Sequence, residues 1–225
     1  IMSNISVIGA GGWGLALANI FSEKHNIKVW VHSEKSYKLL NENHRNDNYL
    51  KNIELNKNIF FTMDIKEVVN DSEIIIIVTP SFAFYEACKN IEPFIKNKQI
   101  LISATKGLDR KTGKTMSEVA RSVISGDLNI LTLSGPSHAE EVSRFMPTTL
   151  VAASPNLEIA EIVQDAFMNP QLRVYTNPDI IGVELGGALK NIIAFGAGMC
   201  DGLGYGDNAK AALMTRGITE MGRLG

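Results

Sequence analysis

The hexapeptide Gly9-Ala10-Gly11-Gly12-Trp13-Gly14, set directly behind the apolar run Ile5-Ser6-Val7-Ile8, constrains this chain more than any other feature. A β-rich run, a G-x-G-x-x-G turn and then the apolar-periodic residues 15–21 give the order strand, tight turn, helix. In that order each glycine has a physical task. Gly9 permits the turn, Gly11 lets the backbone approach a pyrophosphate, and Gly14 lets the helix pack close to the strand. The free N–H groups at the start of the helix then face the anion. A second strand pattern at 28–31 follows, so the expectation is dinucleotide binding on a strand-helix-strand unit.

Apolar runs alternate with helical patterns over the next 150 residues. Strands are expected at 58–62, 73–78, 100–103, 129–133, 148–153 and 173–175. The run Glu73-Ile74-Ile75-Ile76-Ile77-Val78 does not alternate, as expected of a parallel strand covered on both faces. Helical patterns occupy 34–43, 64–70, 82–90, 115–125 and 157–167, while the Asn-rich stretch 44–58 reads as an irregular excursion. This spacing predicts an α/β fold, a Rossmann-type doubly wound and mostly parallel sheet. From Ile180 onward no strand pattern returns, and the residues are small and helix-compatible. The expected organisation is a dinucleotide-binding domain over 1–178 and the start of an all-helical second domain over 179–225.

The bulk properties exclude several classes. A hydrophobic content of 45% is enough for a buried core. The net charge of -2 gives no electrostatic reason for a nucleic-acid partner. Cys88 and Cys200 have neither metal-ligand nor redox spacing, and His25, His32, His44 and His138 show no metal pattern, so no metal site is expected. The two cysteines read as reduced thiols of a cytoplasmic protein. No stretch approaches the length of a membrane span, and the N-terminus lacks the pattern of a signal peptide.

Three further positions could carry chemistry. Lys106, in Thr105-Lys106-Gly107, follows directly on a buried strand, where open parallel sheets bind ligands. It is poised for an anionic substrate or a developing alkoxide, or else is a solvated loop lysine. The segment Gly135-Pro136-Ser137-His138-Ala139 follows the next strand in the same geometric position. Its hydroxyl and N–H groups could hold substrate or nicotinamide; alternatively Ser137 is an N-cap. Lys190 sits in a stretch apolar on nearly every side, which reads as a buried helix. A lysine there is desolvated and its pKa falls, which suits a general acid/base; otherwise it snorkels to solvent. At the end of the second strand, His32 and Ser33 can donate to a ribose 2′-phosphate with Lys35 adding charge, while Glu34 argues for a free 2′-OH.

Together and in this order, the glycine loop, Thr105-Lys106-Gly107, the segment from Leu133 to Ala139, the segment Glu184-Leu185-Gly186-Gly187-Ala188-Leu189-Lys190-Asn191 and the tail Thr215-Arg216-Gly217-Ile218-Thr219-Glu220-Met221 resemble the bacterial NAD(P)-dependent glycerol-3-phosphate dehydrogenases. The resemblance spans almost the whole chain. It implies hydride transfer between NAD(P)H and the dihydroxyacetone phosphate/sn-glycerol 3-phosphate pair, feeding glycerophospholipid synthesis. By position it implies Lys190 as proton donor/acceptor and Lys106 as a contact to substrate beside the nicotinamide. It implies Gly135 and Ser137 as substrate contacts, and Gly12, Trp13 and Ala139 as cofactor contacts. A homodimer is expected. Family members continue for about 100 further residues of helix, an ordinary domain length, carrying an acidic residue and an Asn-Arg element that this sequence does not contain. The competing readings are a related two-domain hydroxy-acid dehydrogenase and a nucleotide-binding module without catalysis.

Overall fold

The computed structural model describes residues 2–126 and 128–224. Among them β1 (Asn4–Ile8), β2 (Asn26–Trp30), β3 (Phe60–Thr62), β4 (Ile74–Ile77), β5 (Ile100–Ser103), β6 (Asn129–Ser134), β7 (Thr148–Ala153) and β8 (Leu172–Asn177) form one sheet in the order β3-β2-β1-β4-β5-β6-β7-β8. Every neighbouring pair is parallel except β6 with β7. The strand order reverses between β1 and β4, which opens a crevice at their carboxyl ends. The doubly wound expectation therefore holds, with a reversal at β7 that sends β7 and β8 the other way.

Residue alternation divides the core between the two faces of the sheet. Ile5, Val7, Val29, Ile76 and Ile102 pack with α1 (Gly12–Phe21), α2 (Glu34–Asn43), α6 (Ala139–Ser143) and α7 (Leu157–Phe167). Ile8, Ile75, Ile77 and Leu101 pack with α3 (Ile65–Asn70), α4 (Ser81–Ile91) and α5 (Met116–Val123). Burial on both faces is why β4 reads as an unbroken run of isoleucine. Phe21 of α1 stacks on Phe167 of α7 with ring centroids 4.0 Å apart. Helix starts are set by local polar chemistry: Thr115 and Glu118 form a capping box on α5, and Asp179 accepts from Gly182 N–H at 2.8 Å to open the last part of the chain.

The stretch 44–58 is irregular, as expected, yet it is well packed. Leu50, Ile53 and Leu55 enter the core, and the Asn19 side chain accepts from Asn56 N–H at 2.9 Å, tying the excursion to α1. The short helix α6 is an element that periodicity did not reveal.

Two helices follow the sheet, α8 (Ile180–Gly202) and α9 (Gly206–Leu224). Here the structure corrects two expectations. First, α8 is not buried all round: only Ile180, Glu184 and Gly187 are buried in it, and α9 has no buried residue among those described. Apolar periodicity marks a helix but does not say whether a partner covers each side. Second, α8 is long and apolar enough to cross a membrane by length and composition, so the statement that no stretch approaches a span does not hold. Glu184 of this helix nevertheless bonds to Thr132 of β6, and Lys190 to the Gly135 carbonyl just beyond that strand.

Candidate functional site

The site is built at the carboxyl ends of β1, β4, β5 and β6. Gly9 follows β1 with φ at +124°, and a Cβ there would lie 2.5 Å from the Val78 carbonyl oxygen. A Cβ on Gly14 would collide with the Gly9 carbonyl oxygen, so α1 sits as close to the turn as backbone allows. Gly11, by contrast, has nothing within 4 Å of its Cβ direction. Space is therefore left open at the one glycine where a pyrophosphate needs it.

Two other segments close around this loop. A methyl group on Gly12 would sit 3.2 Å from the Tyr49 carbonyl and 3.8 Å from Ala139 Cβ, which places Tyr49 and α6 beside the glycine turn. Tyr49 was not among the expected residues, because nothing in the pattern of 44–58 says where an irregular segment folds back. The residue is 51% exposed.

Lys106 leaves β5 and lies over the Trp13 ring, Nζ 5.0 Å from the centroid. The contact brings the glycine loop and the post-β5 loop together. Partly buried against that ring, Lys106 is not a solvated loop lysine; burial, and secondarily the charge of Lys190, push its amine down to about 8. Thr105 holds this loop to the end of β4, donating to the Thr79 carbonyl at 2.9 Å and accepting from Thr79 N–H at 3.2 Å.

Lys190 does not snorkel. Its Nζ turns toward the sheet and donates to the Gly135 carbonyl at 3.0 Å. Its amine is also depressed, by burial, although it is only half-buried and not enclosed in an apolar helix. The same carbonyl accepts from Ser137 N–H at 3.0 Å, and Ser137 is buried. The N-cap of α6 is His138, which makes no side-chain capping bond, so the N-cap alternative for Ser137 does not hold.

His32 and Ser33 stand apart from the lysines, across β1 in the sheet. Gly9 N–H donates to the Trp30 carbonyl at 3.3 Å, so both residues follow β2 at the same edge as the glycine turn. Both are exposed. The Ser33 hydroxyl accepts from Ser36 N–H at 3.4 Å as the N-cap of α2, which leaves its own hydrogen free to donate. Glu34 is paired with Lys38 at 2.7 Å.

The match to protein-family descriptions is decisive at this point. Residues 4–160 fit the NAD-dependent glycerol-3-phosphate dehydrogenase N-terminus, and residues 179–225 fit the C-terminus of the same family. The chain belongs to the NAD-dependent glycerol-3-phosphate dehydrogenase family. It is 67% identical over 224 residues to glycerol-3-phosphate dehydrogenase (NAD(P)+) of Brachyspira hyodysenteriae, covering 99% of this chain and 67% of the relative. It is 48% identical over 227 residues to the Bacillus subtilis protein of that name, covering 100% of this chain and 66% of the relative. The chain thus spans about two thirds of the length of the curated relatives it matches. The crystal structure of glycerol-3-phosphate dehydrogenase from Coxiella burnetii superposes with a TM-score of 0.90 at 37% identity, covering 99% of this chain and 68% of that one.

The residues present fit a nicotinamide dinucleotide. No atom lies within 4 Å of the Gly11 Cβ direction, so nothing there would block a pyrophosphate, and the buried Trp13 Nε1 has no hydrogen-bond partner within the protein. Among the described residues there is no cluster of His, Cys, Asp and Glu that could hold a metal ion.

Proposed function

We propose that this chain carries the cofactor site and the proton-transferring lysine of an enzyme interconverting dihydroxyacetone phosphate and sn-glycerol 3-phosphate. The observation that carries this reading is the meeting of two depressed lysines at the strand ends, one of them stacked on the tryptophan of the glycine loop. Gly9, Gly11, Gly12, Trp13, Gly14 and Ala139 would hold the dinucleotide, with His32 and Ser33 at its ribose end. Lys106, Gly135, Ser137 and Lys190 would hold the substrate.

NAD(P)H supplies a hydride when bound. As negative charge grows on the carbonyl oxygen of the ketone, Lys190 Nζ gives it a proton, and in the reverse direction takes that proton back. Lys106 would add positive charge near the same oxygen. An amine lowered from 10.5 gives up its proton more readily near neutral pH, which favours this role for Lys190. Gly135 and Ser137 orient the lysine through a shared carbonyl.

We read residues 1–178 as the dinucleotide-binding unit and 179–225 as the start of the helical substrate unit. The last strand ends at Asn177 and the helices open on the Asp179 cap, which supports the division. The product would supply glycerophospholipid synthesis in the cytoplasm, and self-association as a homodimer is expected. The test is to follow the absorbance of the reduced nicotinamide with the purified protein and dihydroxyacetone phosphate. Consumption of NAD(P)H dependent on that substrate supports the reading. Tight cofactor binding with no turnover on any keto-phosphate would make the chain a binding module instead.

A further inference from the structure

Glu184 is a buried carboxylate to which the proposed chemistry gives no task. It is 5% exposed, and an ionised carboxyl group so placed is costly unless its oxygens are satisfied. They are satisfied three times. Oε1 accepts from Ser117 N–H at 2.8 Å and from the Thr132 hydroxyl at 3.0 Å, and Oε2 accepts from the Ser117 hydroxyl at 2.6 Å. Ser117 lies in the first turn of α5, so Glu184 takes up an otherwise orphan N–H at the positive end of that helix. One side chain of α8 thereby joins α5 and β6.

The contacts of α8 advance in step along β6. Glu184 meets Thr132, Gly187 meets Ser134, and Lys190 meets Gly135. Gly187 is packed so closely that a Cβ would lie 2.7 Å from Ser134 Oγ. Of the three buried residues in α8, Glu184 is the one whose side chain makes hydrogen bonds to other elements. Gly187 limits how near the helix lies to the strand but has no side chain to fix its rotation or its position along the axis. Glu184, with Oε1 bonded to both α5 and β6 and Oε2 bonded to α5, fixes both.

We propose that Glu184 is a positioning residue, clamping α8 to α5 and β6 so that the Lys190 amine reaches the Gly135 carbonyl. The consequence for catalysis rests on the reading of Lys190 as the proton donor; the consequence for geometry does not.

The test compares wild type, Glu184→Gln and Glu184→Ala in two measurements. The first is the rate at which a limiting amine-reactive acylating reagent modifies Lys190, read by peptide mass spectrometry. Glutamine is isosteric, and its amide can accept from Ser117 N–H and Thr132 and donate to Ser117 Oγ. Lys190 should therefore be modified at the wild-type rate in Glu184→Gln and several-fold faster in Glu184→Ala. The second is steady-state kinetics with dihydroxyacetone phosphate. The alanine variant should lose about 100-fold in kcat, the scale for a displaced catalytic group, with the KM for the cofactor unchanged and with glutamine restoring kcat.

Wild-type labelling of Lys190 in Glu184→Ala overturns the proposal. So does a glutamine variant as impaired as alanine, which would mean that charge and not position matters. Should Glu184→Ala fail to fold, Thr132→Val and Ser117→Ala each remove part of the clamp while keeping the acid. Both should accelerate Lys190 modification, and no change in either one overturns the clamp. If labelling follows Glu184 but no form, wild type included, turns over dihydroxyacetone phosphate, the clamp stands and the functional reading falls.

Discussion

Replacing Lys106 by methionine should make the ligand-free protein more stable while abolishing its use of substrate. The amine falls from 10.5 to about 8, first through burial and then through the charge of Lys190. At about 1.4 kcal/mol per pKa unit, holding that amine charged at pH 7 costs about 3 kcal/mol relative to the unfolded chain. The contact with the Trp13 ring offsets about 1 kcal/mol of this. Methionine fills a similar volume without a charge, so the variant should gain about 2 kcal/mol at neutral pH. The sign with pH is equally specific. The folded pKa lies below the unfolded one, so between about 8 and 10.5 the unfolded chain binds more protons and wild-type stability rises with pH. The advantage of the variant should therefore be full at pH 7 and shrink as pH climbs through that window. Urea unfolding of both proteins at several pH values between 7 and 10.5 reads it directly. A variant less stable than wild type at pH 7, or a difference that stays constant across the window, refutes the reasoning.

Lys190→Ala should lower kcat by about 100-fold or more, the scale for losing a general acid/base, with cofactor affinity retained; near wild-type turnover would remove Lys190 from that role. Gly11→Val should leave a folded protein, since its Cβ direction is open, and should abolish binding by filling the pyrophosphate space; unchanged affinity in a nicotinamide fluorescence titration would contradict this. NADPH should bind at least as tightly as NADH, because His32 and Ser33 can donate to a 2′-phosphate and Glu34 is already paired with Lys38. NADH binding tighter by about tenfold, roughly 1.4 kcal/mol, would show the opposite. The chain should self-associate through Ile192, Phe195 and Met199 of α8, which are 67%, 72% and 51% exposed; Phe195→Glu should reduce the effect in light scattering, and a wild-type chain monomeric at all concentrations would refute it.

Local chemistry made much of this site readable in the sequence. The glycine turn, the unbroken isoleucine run of β4 and the lysine placed directly after β5 each follow from constraints acting over a few residues. The Lys190 helix was readable as a helix, but its burial was not, because periodicity carries no information about which sides have partners. What stayed hidden depends on contacts between distant segments. Glu184 bonds to residues 67 and 52 positions away, and nothing in Val183-Glu184-Leu185 announces it. The reversal at β7 was also invisible, since a strand of the same composition serves in either direction. Tyr49 reaches the glycine loop only because the polar excursion carries buried leucine and isoleucine residues that fold it back.

That reversal has a consequence for the kind of sequence change the protein tolerates. Because β8 runs against β1–β6, the chain leaves the sheet at the end away from the site, and α8 must travel back along β6 to deliver Lys190. The delivery is a matter of counting residues. One residue inserted between Asp179 and Lys190 turns the lysine by about 100° and shifts it by about 1.5 Å, away from Gly135. Substitutions on the exposed side of this segment leave the count intact, whereas a codon gained or lost does not. The excursion at 44–58 is packed into the core and fastened by side-chain bonds, so a change of length there costs local packing without turning Lys190 on its helix.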